Sequence, residues 1–88
     1  MKLCIVTKFF HSSNKEYEEQ NNELGKIMKK TLTEAGKRRD VHRINYTFEL
    51  DNSFDLEKIN KLQKILEQIT VIKRAYIYTD NKKVIDLI

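Results

Sequence analysis

The chain is predicted to be a single α/β (α+β) domain: a two-layer sandwich of order β-α-β-α-β-β, with a four-stranded mixed sheet and two helices on one face. Three observations predict it. The chain's 88 residues leave room for one hydrophobic core and no second. Apolar residues recur at spacings of three, four and seven in two segments, which is the helical period, and alternate or run continuously in four others, which is the strand signature. A content of 40% hydrophobic and 34% charged residues, with no proline and only 2 glycines, excludes disordered, Pro-rich and Gly-rich linker chains.

The elements follow in order. Leu3-Cys4-Ile5-Val6, within Lys2 to Phe10, is too short for a helix and apolar on both faces, so it reads as a strand inside the sheet. Ser13-Asn14-Lys15-Glu16 fits a capping box that opens a first helix. Its apolar positions are Tyr17, Leu24, Ile27, Met28, Leu32 and Ala35, with Gly36 closing it. A helix of about 22 residues would be roughly 33 Å long and overhang the strands, its first turns projecting or meeting a partner. Val41 to Asp51 alternates, with Ile44, Tyr46, Phe48 and Leu50 opposite Arg43, Asn45, Thr47 and Glu49, as a strand with one wet face does. Asn52 or Ser53 can cap a second helix striped by Leu56, Ile59, Leu62, Ile65 or Leu66, and Ile69. Thr70 to Thr79 is a third strand, Asp80-Asn81 a turn, and Lys83 to Ile88 a fourth strand reaching the last residue. Right-handed crossovers place both helices on the same side.

The alternative arrangement is the ferredoxin-like order β-α-β-β-α-β, which needs a hairpin within Lys37 to Asp51. Only Asn45 offers a turn there, in mid-alternation, so the expectation stays with the first order. That order resembles a thioredoxin or glutaredoxin core, with His11-Ser12-Ser13-Asn14 where that family carries its Cys-x-x-Cys. The absence of both cysteines and of any proline removes the redox chemistry the resemblance would imply. The short first strand and Lys73-Arg74-Ala75-Tyr76 are similar to the small ferredoxin-like ribonucleases that include the CRISPR adaptation nucleases. Those place an acidic residue at the end of the first strand, where this chain has Thr7-Lys8. Neither resemblance assigns a family.

Charge is the most distinct signal. The formal net charge is +4, yet residues 24–43 alone carry +5 through Lys26, Lys29, Lys30, Lys37, Arg38, Arg39 and Arg43 against Glu34 and Asp40. Lysine and arginine at such density bind phosphates, and counterion release gives affinity without sequence preference. Cations also suit a helix C-terminus, which accounts for Lys29 and Lys30 but not for the continuation through Lys37-Arg38-Arg39. On the third strand Arg74, Tyr76 and Tyr78 share one side by the period of two. On an open face they would form a platform for bases of single-stranded nucleic acid; against a core they would only cover apolar neighbours.

No motif names a reaction, so no catalytic residue, metal ligand or cofactor is expected. Cys4 reads as an inert core thiol, and no Cys/His spacing suits zinc. The His11 loop, just before a helix start, is a candidate anion site without the glycine that would let backbone wrap a phosphate. His42 reads as a solvated strand residue. With no apolar run of membrane length and no signal-like start at Met1 to Phe10, the expected location is the cytoplasm, away from any membrane. Lysine, isoleucine and asparagine fill 30 of 88 positions, as an A/T-rich genome favours, so a low-GC bacterium or its phage is the expected source. The expected function is a small basic module, without catalysis, that binds RNA or other single strands. Its alternative is a phage or mobile-element protein that inhibits a host protein by direct contact, and the last strand also permits a homodimer through edge pairing.

Overall fold

The computed structural model describes the chain except for Ser12, Val41, residues 52–54 and residues 80–81, together with the side chains of Lys83 and Val84. The element order is β1 (Lys2–Thr7), α1 (Lys15–Thr31), β2 (Thr33–Arg39), β3 (Ile44–Glu49), α2 (Leu56–Glu67), β4 (Ile72–Thr79) and β5 (Lys82–Asp86). The sheet has five strands in the order β2-β3-β1-β4-β5, and every neighbouring pair is antiparallel. The first six elements thus form the ferredoxin-like split β-α-β arrangement, and β5 extends it as a hairpin partner of β4. A two-layer α+β domain with both helices on one face is as expected; the β-α-β-α-β-β order and the four-stranded mixed sheet are not.

The departure has a local cause. Helix α1 ends at Thr31: Leu32 is already extended, at φ −131° and ψ 149°, though its N–H still bonds the Met28 carbonyl at 2.8 Å. The residues read as the last turn of the helix and its closing glycine instead form β2, which pairs with β3 from Thr33↔Glu49 to Arg39↔Ile44. The Asp40 N–H bonds the Arg43 carbonyl at 2.8 Å and closes the hairpin between them just before Ile44, not at Asn45. Gly36 is therefore a strand residue opposite Thr47, next to a bulge at Ala35, and closes no helix.

Caps fix both helix starts. Asn14 rather than Ser13 caps α1, its Oδ1 accepting from the Tyr17 N–H at 3.2 Å, and Asp55 caps α2 by accepting from the Lys58 N–H at 3.0 Å. The expected caps at Asn52 or Ser53 and the Asp80-Asn81 turn lie outside the described residues, as does the expected strand start at Val41. At 17 residues α1 is about 26 Å long, and its N-terminal end is anchored rather than overhanging. Tyr17 meets Phe10 edge-on at 6.2 Å, and Gln20 Oε1 accepts from the Val71 N–H and the Thr70 hydroxyl at 2.8 and 2.9 Å. The last strand ends at Asp86, and Leu87 turns into the core while its N–H bonds the Ala75 carbonyl at 2.8 Å.

The core lies between the helices and one sheet face. Leu24 and Met28 of α1 and Ile59, Leu62 and Leu66 of α2 pack on Leu3 and Ile5 of β1, Ile44, Tyr46 and Phe48 of β3, and Ala75 and Ile77 of β4. Two buried polar contacts tie this layer together: the Tyr46 hydroxyl donates to Asn21 Oδ1 at 2.8 Å, and Thr7 Oγ1 accepts from the Ile44 N–H at 2.8 Å. The central position of β1 agrees with its apolar character on both sides.

Candidate nucleic-acid interface

Alternation decides what the uncovered sheet face carries. Because Leu3, Ile5 and Thr7 point to the helices, Cys4 and Val6 point away and are only half-buried, so Cys4 is not the core thiol the sequence suggested. On β4 the same rule places Ala75 and Ile77 inside and sends Arg74, Tyr76 and Tyr78 to the open face. The Arg74 guanidinium lies 5.2 Å from the centre of the Tyr76 ring, and the Tyr76 and Tyr78 rings are 5.8 Å apart with planes tilted by 45°. Cationic and aromatic groups thus run in one file along the strand.

Cross-strand register aligns further groups with this file. Arg38, Asn45, Val6 and Arg74 occupy one row across β2, β3, β1 and β4, which at about 4.8 Å per strand sets the two arginines roughly 14 Å apart. The next rows pair Cys4 with Thr47 and Tyr76, then Lys2 with Glu49 and Tyr78. Lys2 and Glu49 form an ion pair at 3.8 Å. The Cys4 thiol beside its hydroxyl, and then partial burial, hold the Tyr76 phenol above its ordinary value, so this ring is neutral under physiological conditions.

The basic segment is divided between the two layers. Lys26, Lys29 and Lys30 ride on α1, where Lys26 pairs with Glu23 at 3.7 Å and Lys29 with Glu34 at 3.5 Å. Lys37 lies over the Tyr46 ring at 5.3 Å, and Arg39 pairs with Glu18 of α1 at 3.6 Å, so both serve the helix side. Only Arg38 and Arg43 of the seven accompany Arg74, Tyr76 and Tyr78. Arg43 stacks on the Phe9 ring at 4.7 Å, and Phe9 is 60% exposed. Phe9 stands with Phe10 in the loop after the first strand, where no periodic signal marks it as a binding residue.

The same end of the sheet brings His11 and His42 together, with ring centroids 5.8 Å apart. Among the described residues no group of three or more His, Cys, Asp or Glu is placed to hold a metal ion. At the far end a groove of about 680 Å³ opens between α1 and α2, lined by Ile27, Leu32, Leu50, Leu62 and Ile65 with Lys58 and Lys61 at its rim. No helix among the described residues is long and apolar enough to cross a membrane. No family model, curated protein or solved structure matches the chain.

Proposed function

We propose that the protein binds single-stranded nucleic acid, RNA in the first place, across the open face of its sheet. One observation carries this reading: the file of Arg74, Tyr76 and Tyr78 is uncovered, with Arg38 and the Arg43–Phe9 stack along the adjoining rows and end. Bases of a single strand stack on the tyrosines and on exposed Phe9, while the arginine forks take phosphates. A duplex hides its base faces, so it gains only the phosphate contacts. The side chains offered are stacking rings and cations, so recognition is by strandedness and charge rather than by sequence.

Filter binding over a salt series tests this. Retention of a single-stranded RNA should fall steeply with salt, exceed that of a duplex of equal length, and change little with base sequence. Absence of retention at low salt overturns it. A second reading, a module that docks on a host protein, is favoured by the groove between the helices and by Ile65 in its lining, which is 43% exposed. Partners captured from lysate that persist after nuclease treatment support that reading, and partners that vanish support nucleic acid.

A further inference from the structure

The chain's 2 histidines are 31 positions apart in sequence and come from different loops, yet their rings stack at 5.8 Å with planes within 29° of parallel. His11 follows β1, and His42 sits in the β2–β3 turn. A backbone hydrogen bond from the Phe10 N–H to the His42 carbonyl, 2.7 Å long, fixes one loop on the other. Both imidazoles are exposed, so burial of apolar surface gives no reason for the pairing. Arg43, the neighbour of His42 in sequence, rests its guanidinium on the ring of Phe9, two residues before His11, at the end of the proposed binding face.

Local hydrogen bonding orients the His11 ring. Its Nδ1 is 2.8 Å from Ser13 Oγ and accepts from the Ser13 backbone N–H at 3.2 Å. In the neutral ring this sends the proton to Nε2. In the charged ring Nδ1–H gives up the bond from the Ser13 N–H and donates instead to Ser13 Oγ, and Nε2 again carries a proton. His11 therefore presents Nε2–H to whatever lies on the loop surface in either state.

We infer that the His11–His42 pair is a metal-independent site for cleaving single-stranded RNA by transfer to the 2′-oxygen, an inference that rests on the binding reading above. A neutral His42 removes the proton of the 2′-hydroxyl as the O2′–P bond forms. The P–O5′ bond breaks, and protonated His11 gives its Nε2 proton to the departing O5′, while Arg43 balances charge on the phosphoryl oxygens. One proton is taken and one is given, and the products are a 2′,3′-cyclic phosphate and a 5′-hydroxyl. Exchange with water restores the two imidazoles. The substrate class is set by the nucleophile: DNA binds on the same face but lacks the 2′-hydroxyl.

The test incubates the purified full chain with a single-stranded RNA oligonucleotide in the presence of a chelator and follows products by mass spectrometry, with filter retention measured on the same samples. The expected result is cleavage to cyclic-phosphate ends, about 10²-fold or more slower in His11→Ala and in His42→Ala when rates are compared at protein concentrations that saturate RNA retention for each variant. A substrate with 2′-deoxyribose at the cleaved position should be retained and stay intact. His11→Asn and His42→Asn keep polar, hydrogen-bonding side chains in the turns and should match the alanine variants. RNA that is retained but intact overturns the inference and leaves the binding reading in place. Cleavage that survives when His11→Ala and His42→Ala are combined also overturns it, by assigning the activity elsewhere. Failure of retention removes the binding reading itself.

Discussion

The two faces of the sheet are built from alternate residues of the same strands, and a tyrosine on each shows what separates them. Tyr46 is 1% exposed, its ring is stacked on Phe48, and its hydroxyl is satisfied by Asn21 of α1. Tyr76, two strands away in the sheet, is half-buried and faces Arg74 and Tyr78. The first ring holds a helix on the sheet, and the second covers no core. Surface that folding leaves unused is where binding is to be sought, and the helix-covered side can be perturbed separately from it.

That separation can be broken or sharpened by substitution. The largest effect is expected from Tyr46→Ala, which removes a filled core volume and should lower unfolding free energy by about 3–5 kcal/mol in urea denaturation. Tyr76→Ala combined with Tyr78→Ala should weaken single-stranded RNA binding by about 1–3 kcal/mol per base stacked, while costing much less stability than the core change. A double variant as unstable as Tyr46→Ala would show that these rings belong to the core.

Smaller effects test the polar groups. Tyr46→Phe leaves the Asn21 side chain buried without its partner and should cost about 1–2 kcal/mol. Burial pushes the Tyr46 phenol above its ordinary value of 10.0, with the Asn21 hydrogen bond pulling the other way. The folded chain therefore holds this proton more tightly than the unfolded chain. Its contribution is complete below about pH 10 and is lost as pH rises through the folded value, so alkaline destabilisation should be shallower in Tyr46→Phe. The smallest effect separates adjacent cations: Arg38→Ala should lower the salt slope of RNA binding by about one ion, whereas Arg39→Ala, turned to Glu18, should leave it unchanged.

Much of this organisation is legible in the sequence, and particular residues show where legibility stops. Ile44 to Phe48 and Ile59 to Leu66 carry strong periods because each buries one side, and both elements form where the pattern puts them. Thr33 to Arg39 has no such period. It is an edge strand with polar side chains on both faces, so its pairing with β3, not its own pattern, makes it a strand, and a helical reading runs on into it. Missing that strand concealed the hairpin at residues 40–43, and with it the all-antiparallel order. The Arg74, Tyr76 and Tyr78 file was legible as a set, but which side it faced depends on the packing of Ala75 and Ile77. The meeting of His11 with His42, and of Phe9 with Arg43, depends on two loops that only the tertiary fold brings together.

The central claim is that the open sheet face, and not the basic helix end, receives the nucleic acid. Titrating a single-stranded RNA into isotopically labelled protein and following amide and side-chain NMR signals tests it most directly. Shifts are expected at Arg38, Cys4, Arg43, Arg74, Tyr76 and Tyr78, with Lys26, Lys30, Lys58 and Lys61 unmoved. Shifts concentrated on the two helices, with Arg74, Tyr76 and Tyr78 unaffected, would contradict it.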